Sequence, residues 1–368
     1  MFPLMKESVE CFLQNFQDNE EKVIEIELKK TANAFIATSS ASTYFGIDIS
    51  SLKKLKDFLL TLGGMFTFGQ GILHDFNYLI YAYAPVIAPL FGISSIIKKD
   101  AKQYFIKTLE DGLTRENNDI HRPDLIGLWI QKQKEEYDES FGENMKKKKT
   151  DLNRLNIVSQ LCMFLLNSLD GSVTVLNFAL YELAMNPDVQ KKLIEEIDEI
   201  NSQEIEPSYN IISGLQYMDM VISETMRKWP AIIVMERRCT KPYTINAKLP
   251  DEVPIHLDVG DIIIAPLYAI QMDPEYFPDP EKFDPERFSP SNRNDIKPYT
   301  YLPWGAGPRN CNGGKFALAQ LKLFIFQLLS NFELVATEST PKNIKLLKKP
   351  GKLEPEEPVI VGLKRRKF

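Results

Sequence analysis

At 368 residues the chain can bury a large hydrophobic core, and its length permits between one and three domains. Hydrophobic residues make up 44% of it and charged residues 26%, the proportions of an ordinary globular protein. The formal net charge of −6, from 50 acidic against 44 basic residues, argues against a nucleic-acid-binding protein, and the balance indicates solubility.

The cysteines and histidines are few and scattered. They are Cys11, Cys162, Cys239 and Cys311, with His74, His121 and His256. No two cysteines form a CxxC pair, so a structural zinc site would need four ligands from distant positions. Disulfides are not expected either, because this usage of cysteine fits a reducing compartment. If one cysteine has a function, we expect it to act as a thiolate.

The first residues, MFPLMKESVECFLQNF, predict a helix and lack the regions of a signal peptide. The helix begins abruptly, so we expect that the natural chain starts earlier. Residues 78–97 carry no charge and are long enough to span a bilayer. Because Pro85, Pro89 and Gly92 interrupt them, we expect a half-buried loop in contact with a membrane surface.

Helical patterns dominate the first 230 residues. Amphipathic spacing predicts helices over 102–110 and 124–136 with a loop between them. Residues 142–152 contain four consecutive lysines and predict a solvated linker, with a functional basic patch as the alternative.

A long apolar helix is predicted from Asp151, its N-cap, to about Met185, roughly 50 Å at 1.5 Å per residue. It is apolar on most faces, so we expect it to run through the centre of the protein. Its midpoint is nevertheless polar, with Asn167, Ser168, Asp170, Gly171, Ser172 and Thr174. These groups either line a cavity or form a polar face of the helix, and we favour the cavity.

The remainder of the chain predicts two further helices, a β region and a meander. Pro187 begins a new helix, and another spans 213–228 before Pro230. Short strands are predicted within 231–268, and residues 273–310 form a meander rich in Pro, Asp, Asn and Gly. A final apolar helix runs from Lys315 to about residue 331. With no repeats and no linker between cores, we predict one domain over residues 1–368, mainly α with a small β region.

The strongest chemical signal is PWGAGPRNCNGG at residues 303–314. Gly305, Gly307 and Gly313 would let the backbone approach a flat partner that side chains would obstruct. Cys311 would lie at the N-terminal end of the last helix, where the dipole favours a thiolate, and Arg309 is suited to an anionic group. A lone cysteine in a loop is usually a buried structural residue, but these neighbours favour a ligand.

This segment resembles the haem-binding loop of the cytochrome P450 superfamily, whose pattern is aromatic-x-x-Gly-x-Arg-x-Cys-x-Gly. Its defining positions hold Trp304, Gly307, Arg309, Cys311 and Gly313. The resemblance implies the mainly α fold of that superfamily, haem b as the cofactor and Cys311 as the sulfur ligand of the iron. Asn312 stands where the family has an apolar residue, which puts a polar group beside the sulfur.

Three charged residues match a second family signature. Glu224 and Arg227 match the ExxR motif, and their spacing puts both on one face of a helix. Taken alone, such a pair would be a surface ion pair of little energy. Arg287, in FDPERF, matches the third member of the group. The resemblance implies that the three form a structural network fixing the meander that carries the cysteine.

Two arginines match positions that meet the haem propionates in the family. They are Arg237, in MERRCTKPYTI, and Arg309. Guanidinium groups suit carboxylates because two N–H donors can bind two oxygens. Arg238 is adjacent to Arg237 and is the alternative for that position.

The central helix departs from the family, which reads Ala-Gly-x-Asp/Glu-Thr at its kink. Aligned on FALYELAMNPDVQ, the chain has residues 167–171, Asn-Ser-Leu-Asp-Gly. The acid is retained as Asp170, but the threonine that helps to deliver protons is replaced by Gly171. Ser172 is the nearest hydroxyl, rotated by about 100° around the helix. We therefore expect Asp170 to relay protons, with Ser172 as the substitute donor.

The resemblance is closest to the microsomal animal branch, particularly insect detoxifying members. It implies oxidation of small lipophilic substrates, xenobiotics or endogenous lipids and hormones, with dioxygen. It also implies an NADPH-dependent reductase as the electron donor, with cytochrome b5 as an additional donor, at the cytoplasmic face of the endoplasmic reticulum membrane. Lys315 and Lys322, on the helix after the cysteine, could face an acidic reductase surface, or could be solvated residues.

We expect a truncated form, because about the first quarter of a microsomal member, including the membrane anchor, has no counterpart in this sequence. Two alternatives to a monooxygenase follow. One is an isomerase or dehydratase on the same fold that does not use dioxygen, since such enzymes tolerate loss of the central threonine. The other is a non-catalytic remnant that binds haem poorly.

Overall fold

The computed structural model describes residues 1–17, 19, 21–48, 52–63, 80, 87–91, 98–118, 120–138, 154–204, 206–348 and 352–366. The predicted linker over 142–152, with its cap residue Asp151, lies outside these residues. So does the uncharged segment 78–97, except residues 80 and 87–91.

Most of the described chain is helical, which confirms the mainly α class. The helices, numbered in chain order, are α1 (Phe2–Gln17), α2 (Leu28–Phe45), α3 (Leu52–Gly63), α4 (Lys99–Asn117), α5 (Leu125–Asp138), α6 (Arg154–Asn167), α7 (Val173–Met185), α8 (Pro187–Asn201), α9 (Tyr209–Gly214), α10 (Gln216–Lys228), α11 (Leu267–Gln271) and α12 (Gly314–Asn331). A π-helical turn, Ser168–Ser172, joins α6 to α7.

The strands are short and antiparallel. They are β1 (Val23–Glu27), β2 (Met235–Arg238), β3 (Tyr243–Ile245), β4 (Ile255–Leu257), β5 (Ile262–Ala265), β6 (Phe332–Val335) and β7 (Ile360–Arg365). Within the described residues they form a three-stranded sheet in the order β1-β7-β6 and the two pairs β2-β5 and β3-β4. In these ladders Val23 lies opposite Lys364, Met235 opposite Ala265, and Tyr243 opposite Leu257.

The chain divides into two compact units. The first comprises Met1–Asp18 and Asn33–Leu169, and the second Asn19–Ala32 and Asp170–Phe368. The core of the first unit is aromatic, because the ring of Phe45 lies 5.0 Å from that of Phe105 and 5.7 Å from that of Phe58. All three rings are fully buried.

In the second unit α7, α8, α10 and α12 pack on one another, and apolar residues of each are completely buried. The indole of Trp229, just after α10, stacks on the ring of Phe178 in α7, with centroids 4.3 Å apart. The chain between α11 and α12 contains three short 3-10 turns and no other regular structure, which confirms the predicted meander.

Several boundaries differ from the predictions. The helices predicted over 102–110 and 124–136 extend to Lys99–Asn117 and Leu125–Asp138. The helix predicted over 213–228 is two helices, because Leu215 has an extended backbone with φ −64° and ψ 106°. The break follows Gly214, a residue that favours helix ends.

Among the described residues one helical stretch, Ile157–Met185, is long and apolar enough to cross a bilayer. Half of its most apolar window is buried inside the protein. The core helix of a globular protein can have this length and composition, so these two properties alone do not identify a membrane span.

Candidate functional site

The buried face of α10 carries the predicted charged pair. Arg227 Nε donates to Glu224 Oε2 at 2.7 Å and Nη2 donates to Oε1 at 2.9 Å, with both side chains 0% exposed. Arg227 also reaches the main chain: Nη1 donates to Gln271 O at 2.9 Å and Nη2 to Pro280 O at 2.7 Å. The guanidinium therefore ties α10 to the end of α11 and to the meander.

Glu224 makes two further contacts with the meander. The Asp284 N–H donates to Glu224 Oε1 at 3.0 Å, and Arg287 Nε lies 3.5 Å from the same oxygen. Arg287 Nη2 donates to Asp279 O at 2.9 Å. Burial raises the pKa of the Glu224 carboxyl, while the hydrogen bonds and positive charge from Arg227 act in the opposite direction. The structure thus brings together all three residues of the predicted network.

Two residues that the sequence did not single out extend this network toward the cysteine. Gln271 Nε2 donates to the carbonyls of Met226 and Arg227, at 3.1 and 2.9 Å. Tyr301 Oη donates to Ser223 O at 3.1 Å, and burial raises the pKa of this phenol. Their partners are main-chain carbonyls, so residue type alone gave no signal for either contact.

The cysteine loop is a compact turn in front of α12. The Cys311 N–H donates to Trp304 O at 2.8 Å, and the Asn310 N–H donates to Gly307 O at 3.1 Å. Gly305 and Gly307 have φ of +71° and +74°, a left-handed conformation in which a Cβ would be strained. The loop conformation therefore depends on these two glycines.

The surroundings of Cys311 fit a flat, sulfur-ligated group. Cys311 is exposed, and a Cβ added at Gly313 would lie 4.0 Å from its Sγ. A Cβ added at Gly307 would meet nothing within 4 Å, while one at Gly314 would lie 3.3 Å from Trp304 Cδ2. The indole thus covers the start of α12, and of these glycines Gly307 leaves open space beside the loop. Among the described residues no group of three or more His, Cys, Asp or Glu side chains could hold a metal ion.

Of the two predicted propionate ligands, Arg237 lies beside the cysteine loop. Its Nη2 lies 3.3 Å from Met235 Sδ, and that sulfur would be 3.6 Å from a Cβ at Gly305. Arg309 lies within the loop, in the 3-10 turn Gly307–Arg309, and is exposed. Neither guanidinium pairs with a carboxylate among the residues that the structure describes, so each has donors available for one.

The predicted proton relay lies at the π-helical turn. Asp170 is 65% exposed, with Oδ1 3.4 Å from Lys352 Nζ, while Ser172 is buried. Thr174 Oγ1 donates to Asp170 O at 2.8 Å. A Cβ at Gly171 would meet nothing within 4 Å. π-Helical turns inside long helices are frequent at functional sites.

Both alternatives for Lys322, facing an acidic reductase surface or being solvated, are wrong. Its side chain is 3% exposed, and Nζ donates to Ser213 O and Leu215 O. It is buried because the carbonyls at the end of α9 and the carboxylate of Asp219 surround it. Lys315, the second residue of α12, is exposed, which agrees with both alternatives for that residue.

Comparisons with known proteins agree with this geometry. A family model described as Cytochrome P450 matches residues 1–362. Cytochrome P450 9e2 of Blattella germanica is 36% identical over 356 residues, 95% of this chain and 65% of that protein. Cytochrome P450 3A5 of Homo sapiens is 32% identical over 371 residues, 100% of this chain and 70% of that protein.

A further relative is Cytochrome P450 9b2 of Drosophila melanogaster, 34% identical over 359 residues, 94% of this chain and 66% of that protein. The chain therefore spans about two thirds of the length of the curated relatives that it matches. The match extends over almost every residue of this chain and includes the cysteine loop. The resemblance predicted from the motifs is confirmed, and the chain belongs to the cytochrome P450 family.

Proposed function

We propose that this chain carries the haem-thiolate centre of a monooxygenase that inserts one oxygen atom from dioxygen into small lipophilic substrates. The observation that carries the proposal is the exposed sulfur of Cys311, in a glycine-flanked turn directly before α12. A bound haem b would supply the oxidation chemistry. Membership of the family supports a reductase as the electron donor, which we take to be NADPH-dependent, with cytochrome b5 as a second donor.

Cys311 would hold the iron through its sulfur. Cys311 lies before the first turn of α12, and the dipole at a helix start favours negative charge. The bond from its own N–H to Trp304 O fixes the backbone of the ligand. Trp304 packs on the start of α12, which limits the movement of the loop against the helix.

Arg237 and Arg309 would bind the carboxylates of the cofactor. Both carry guanidinium donors that no carboxylate occupies among the described residues, and Arg237 is close to Gly305 of the cysteine loop. A charged N–H···O pair is stronger than a neutral one and, when bidentate, also fixes orientation. The two arginines would therefore orient the cofactor on the loop.

Asp170 and Ser172 would move protons. The carboxylate of Asp170 is 65% exposed, so water can reach it, and its Oδ1 lies 3.4 Å from Lys352 Nζ. Ser172 offers the only hydroxyl adjacent to Gly171 in the sequence. Glu224, Arg227 and Arg287 would have no chemical step, since they hold the meander in place.

The substrate class and the cellular location rest on the family. We propose xenobiotics or endogenous lipids and hormones as substrates, and the cytoplasmic face of the endoplasmic reticulum membrane as the location, with contact between the protein and the membrane surface. Exposed Lys315 near the cysteine is suited to an acidic reductase surface.

The test is the absorbance spectrum of purified, haem-loaded protein, reduced and exposed to carbon monoxide. We expect the signature of a thiolate ligand, lost in Cys311→Ser and kept in Cys11→Ser, Cys162→Ser and Cys239→Ser. A thiolate signature that persists in Cys311→Ser would end the proposal. Failure of the parent protein to form it would favour the non-catalytic alternative.

A second candidate function is an isomerase or dehydratase on the same fold that works without dioxygen. The observation in its favour is Gly171 at the position of the family's threonine. The two candidates differ in their need for electrons. Turnover of an oxygenated substrate without NADPH and reductase would support the second.

A further inference from the structure

Helix α12 begins three residues after Cys311 and is buried along most of its length. Its residues from Ala319 to Phe326 are all buried, and all but two of them, Gln320 and Lys322, are apolar. A lysine in such a position loses the water that normally solvates its ammonium group, a loss that only close polar partners can offset.

Three acceptors surround the ammonium of Lys322. Its Nζ donates to Ser213 O at 2.9 Å and to Leu215 O at 3.2 Å, and it lies 2.8 Å from Asp219 Oδ1. Three acceptors match the three protons of an ammonium group. Lys322 is therefore fully partnered in one geometry.

These acceptors belong to the junction of α9 and α10. Ser213 O lies in the last turn of α9, where carbonyls lack partners within the helix. Leu215 O follows directly and also accepts from the Asp219 N–H at 3.2 Å. Asp219 lies in the first turn of α10. The helix dipole stabilises a cation at a helix C-terminus and an anion at an N-terminus, so both Lys322 and Asp219 lie where the dipoles favour their charge.

A second side chain fixes the same junction from α8. The Glu196 carboxylate accepts from the N–H groups of Tyr217, at 2.8 Å, and Met218, at 3.0 Å. These are first-turn amides of α10 that have no acceptor within their helix. The start of α10 is thus attached to α8 through Glu196 and to α12 through Lys322.

Helix α10 is also the helix to which the meander is tied, since Arg227 and Glu224 bind Pro280 O and the Asp284 N–H. The chain that holds Cys311 is consequently anchored to α10 on both sides of the cysteine loop. Before the loop the anchors are the Glu224–Arg227 pair and the bond from Tyr301 to Ser223 O. After the loop the anchor is Lys322.

We propose that Lys322 is a positioning residue for Cys311: its bonds to Ser213, Leu215 and Asp219 set the position of α12 relative to α10, and thereby hold the sulfur where it can ligate the haem as a thiolate. This inference rests on the proposed haem-thiolate function. An apolar side chain would remove the three contacts of the ammonium with Ser213 O, Leu215 O and Asp219, so α12 would settle in a different position.

The test compares Lys322→Met with two other variants of the full chain. Methionine keeps the length of the side chain and removes the charge and the donors. Lys191→Met is the matched control, because Lys191 lies in a neighbouring helix, α8, with its side chain 78% exposed. Asp219→Asn weakens one of the three contacts and leaves both carbonyl bonds.

Two readouts are needed. The first is amide hydrogen exchange of the haem-free protein, at the starts of α10 and α12. The second is the fraction of the reduced carbon monoxide complex with a thiolate rather than a thiol ligand. For Lys322→Met we expect exchange at both helix starts to rise roughly tenfold or more, from the loss of charged hydrogen bonds, and the thiolate fraction to fall. Asp219→Asn should shift both readouts less, and Lys191→Met neither.

An unchanged thiolate fraction in Lys322→Met would overturn the proposal. A fall accompanied by a uniform rise in exchange throughout the second unit would also overturn it, because that result indicates general destabilisation. If Lys322→Met does not fold, Asp219→Asn decides, and a normal thiolate fraction in that variant counts against positioning. If the parent protein forms no thiolate complex, the proposed function fails, whereas the exchange data still report on the attachment of α12.

Discussion

Arg227 donates to both carboxylate oxygens of Glu224, three residues earlier in α10, and neither side chain is exposed to solvent. The pair is not closed on itself, since Arg227 also binds Pro280 O and Glu224 also accepts from the Asp284 N–H. A buried ion pair contributes little net stability when both partners are present, because desolvation offsets the attraction. The contribution of the pair here is structural, because its bonds to Pro280 and Asp284 hold the meander in one arrangement.

The first prediction is that Glu224→Ala destabilises the protein strongly. The variant would leave the Arg227 charge buried without its carboxylate, which typically costs about 3–5 kcal/mol. We expect that loss in the free energy of unfolding, measured by urea denaturation. Lys282→Ala is the control, since Lys282 is exposed and its ion pair with Asp284 is worth less than about 1 kcal/mol. A well-folded, haem-loaded but inactive Glu224→Ala would instead assign Glu224 a catalytic role.

The second prediction concerns thiol reactivity. Burial raises the pKa of Cys162 to about 12, so at pH 8 roughly one thiol in ten thousand is ionised. Cys11 and Cys311 are exposed. In haem-free protein iodoacetamide should label these two within minutes and should label Cys162 only after unfolding, as measured by peptide mass mapping.

Haem should protect Cys311 alone from the same reagent, with Cys11 as the internal control. We expect protection because a sulfur bound to iron cannot react with iodoacetamide, whereas without haem Cys311 is exposed to the reagent. Equal labelling of Cys311 with and without haem would show that it is not the ligand.

The third prediction separates two adjacent arginines. Successive side chains of a strand point to opposite faces. Arg237 in β2 contacts Met235 Sδ near the cysteine loop, whereas Arg238 Nη2 would lie 3.7 Å from a Cβ at Gly260. Arg237→Met should weaken haem binding roughly tenfold, the effect of one charged hydrogen bond, and Arg238→Met should not. The measurement is the rate of haem transfer to apomyoglobin, and a greater effect of Arg238→Met would reverse the assignment.

The site shows which kinds of contact a sequence can predict. The spacing of Glu224 and Arg227 places them on one helix face by helix geometry alone, and the structure has them there. The groups that they bind at Pro280 and Asp284 are 53 and 60 residues away, and they are main-chain atoms, which carry no signature of residue type. The outline of the network was therefore predictable and its attachment to the meander was not.

Lys322 illustrates the opposite case, in which residue type misled. Lysine is rarely buried, so its identity favoured a solvated face. Its burial depends on the break between α9 and α10 at Leu215, where helix-end carbonyls become available. A pattern that predicted one continuous helix over 213–228 could not reveal those acceptors.

The last prediction concerns Gly171, where the family has a threonine whose hydroxyl steadies proton delivery. Without that hydroxyl, reducing equivalents should escape as hydrogen peroxide, and Ser172 should compensate only in part because it projects in another direction. A Cβ at this position meets nothing within 4 Å, so Gly171→Thr adds its Cβ without a close contact. It should also not lower stability, because Gly is about 1 kcal/mol less favourable than Ala in a helix.

The measurement is product formed and peroxide released per NADPH consumed, in a chimera joined to the N-terminal region of a related cytochrome P450. Gly171→Thr should raise the first and lower the second. Gly171→Ala is the matched control, because it adds the same Cβ and stiffens the helix but brings no hydroxyl. If both variants improve coupling equally, helix stiffness is the cause. If the parent chimera is already tightly coupled and neither variant changes it, protons reach the site by another route, or the reaction does not use dioxygen.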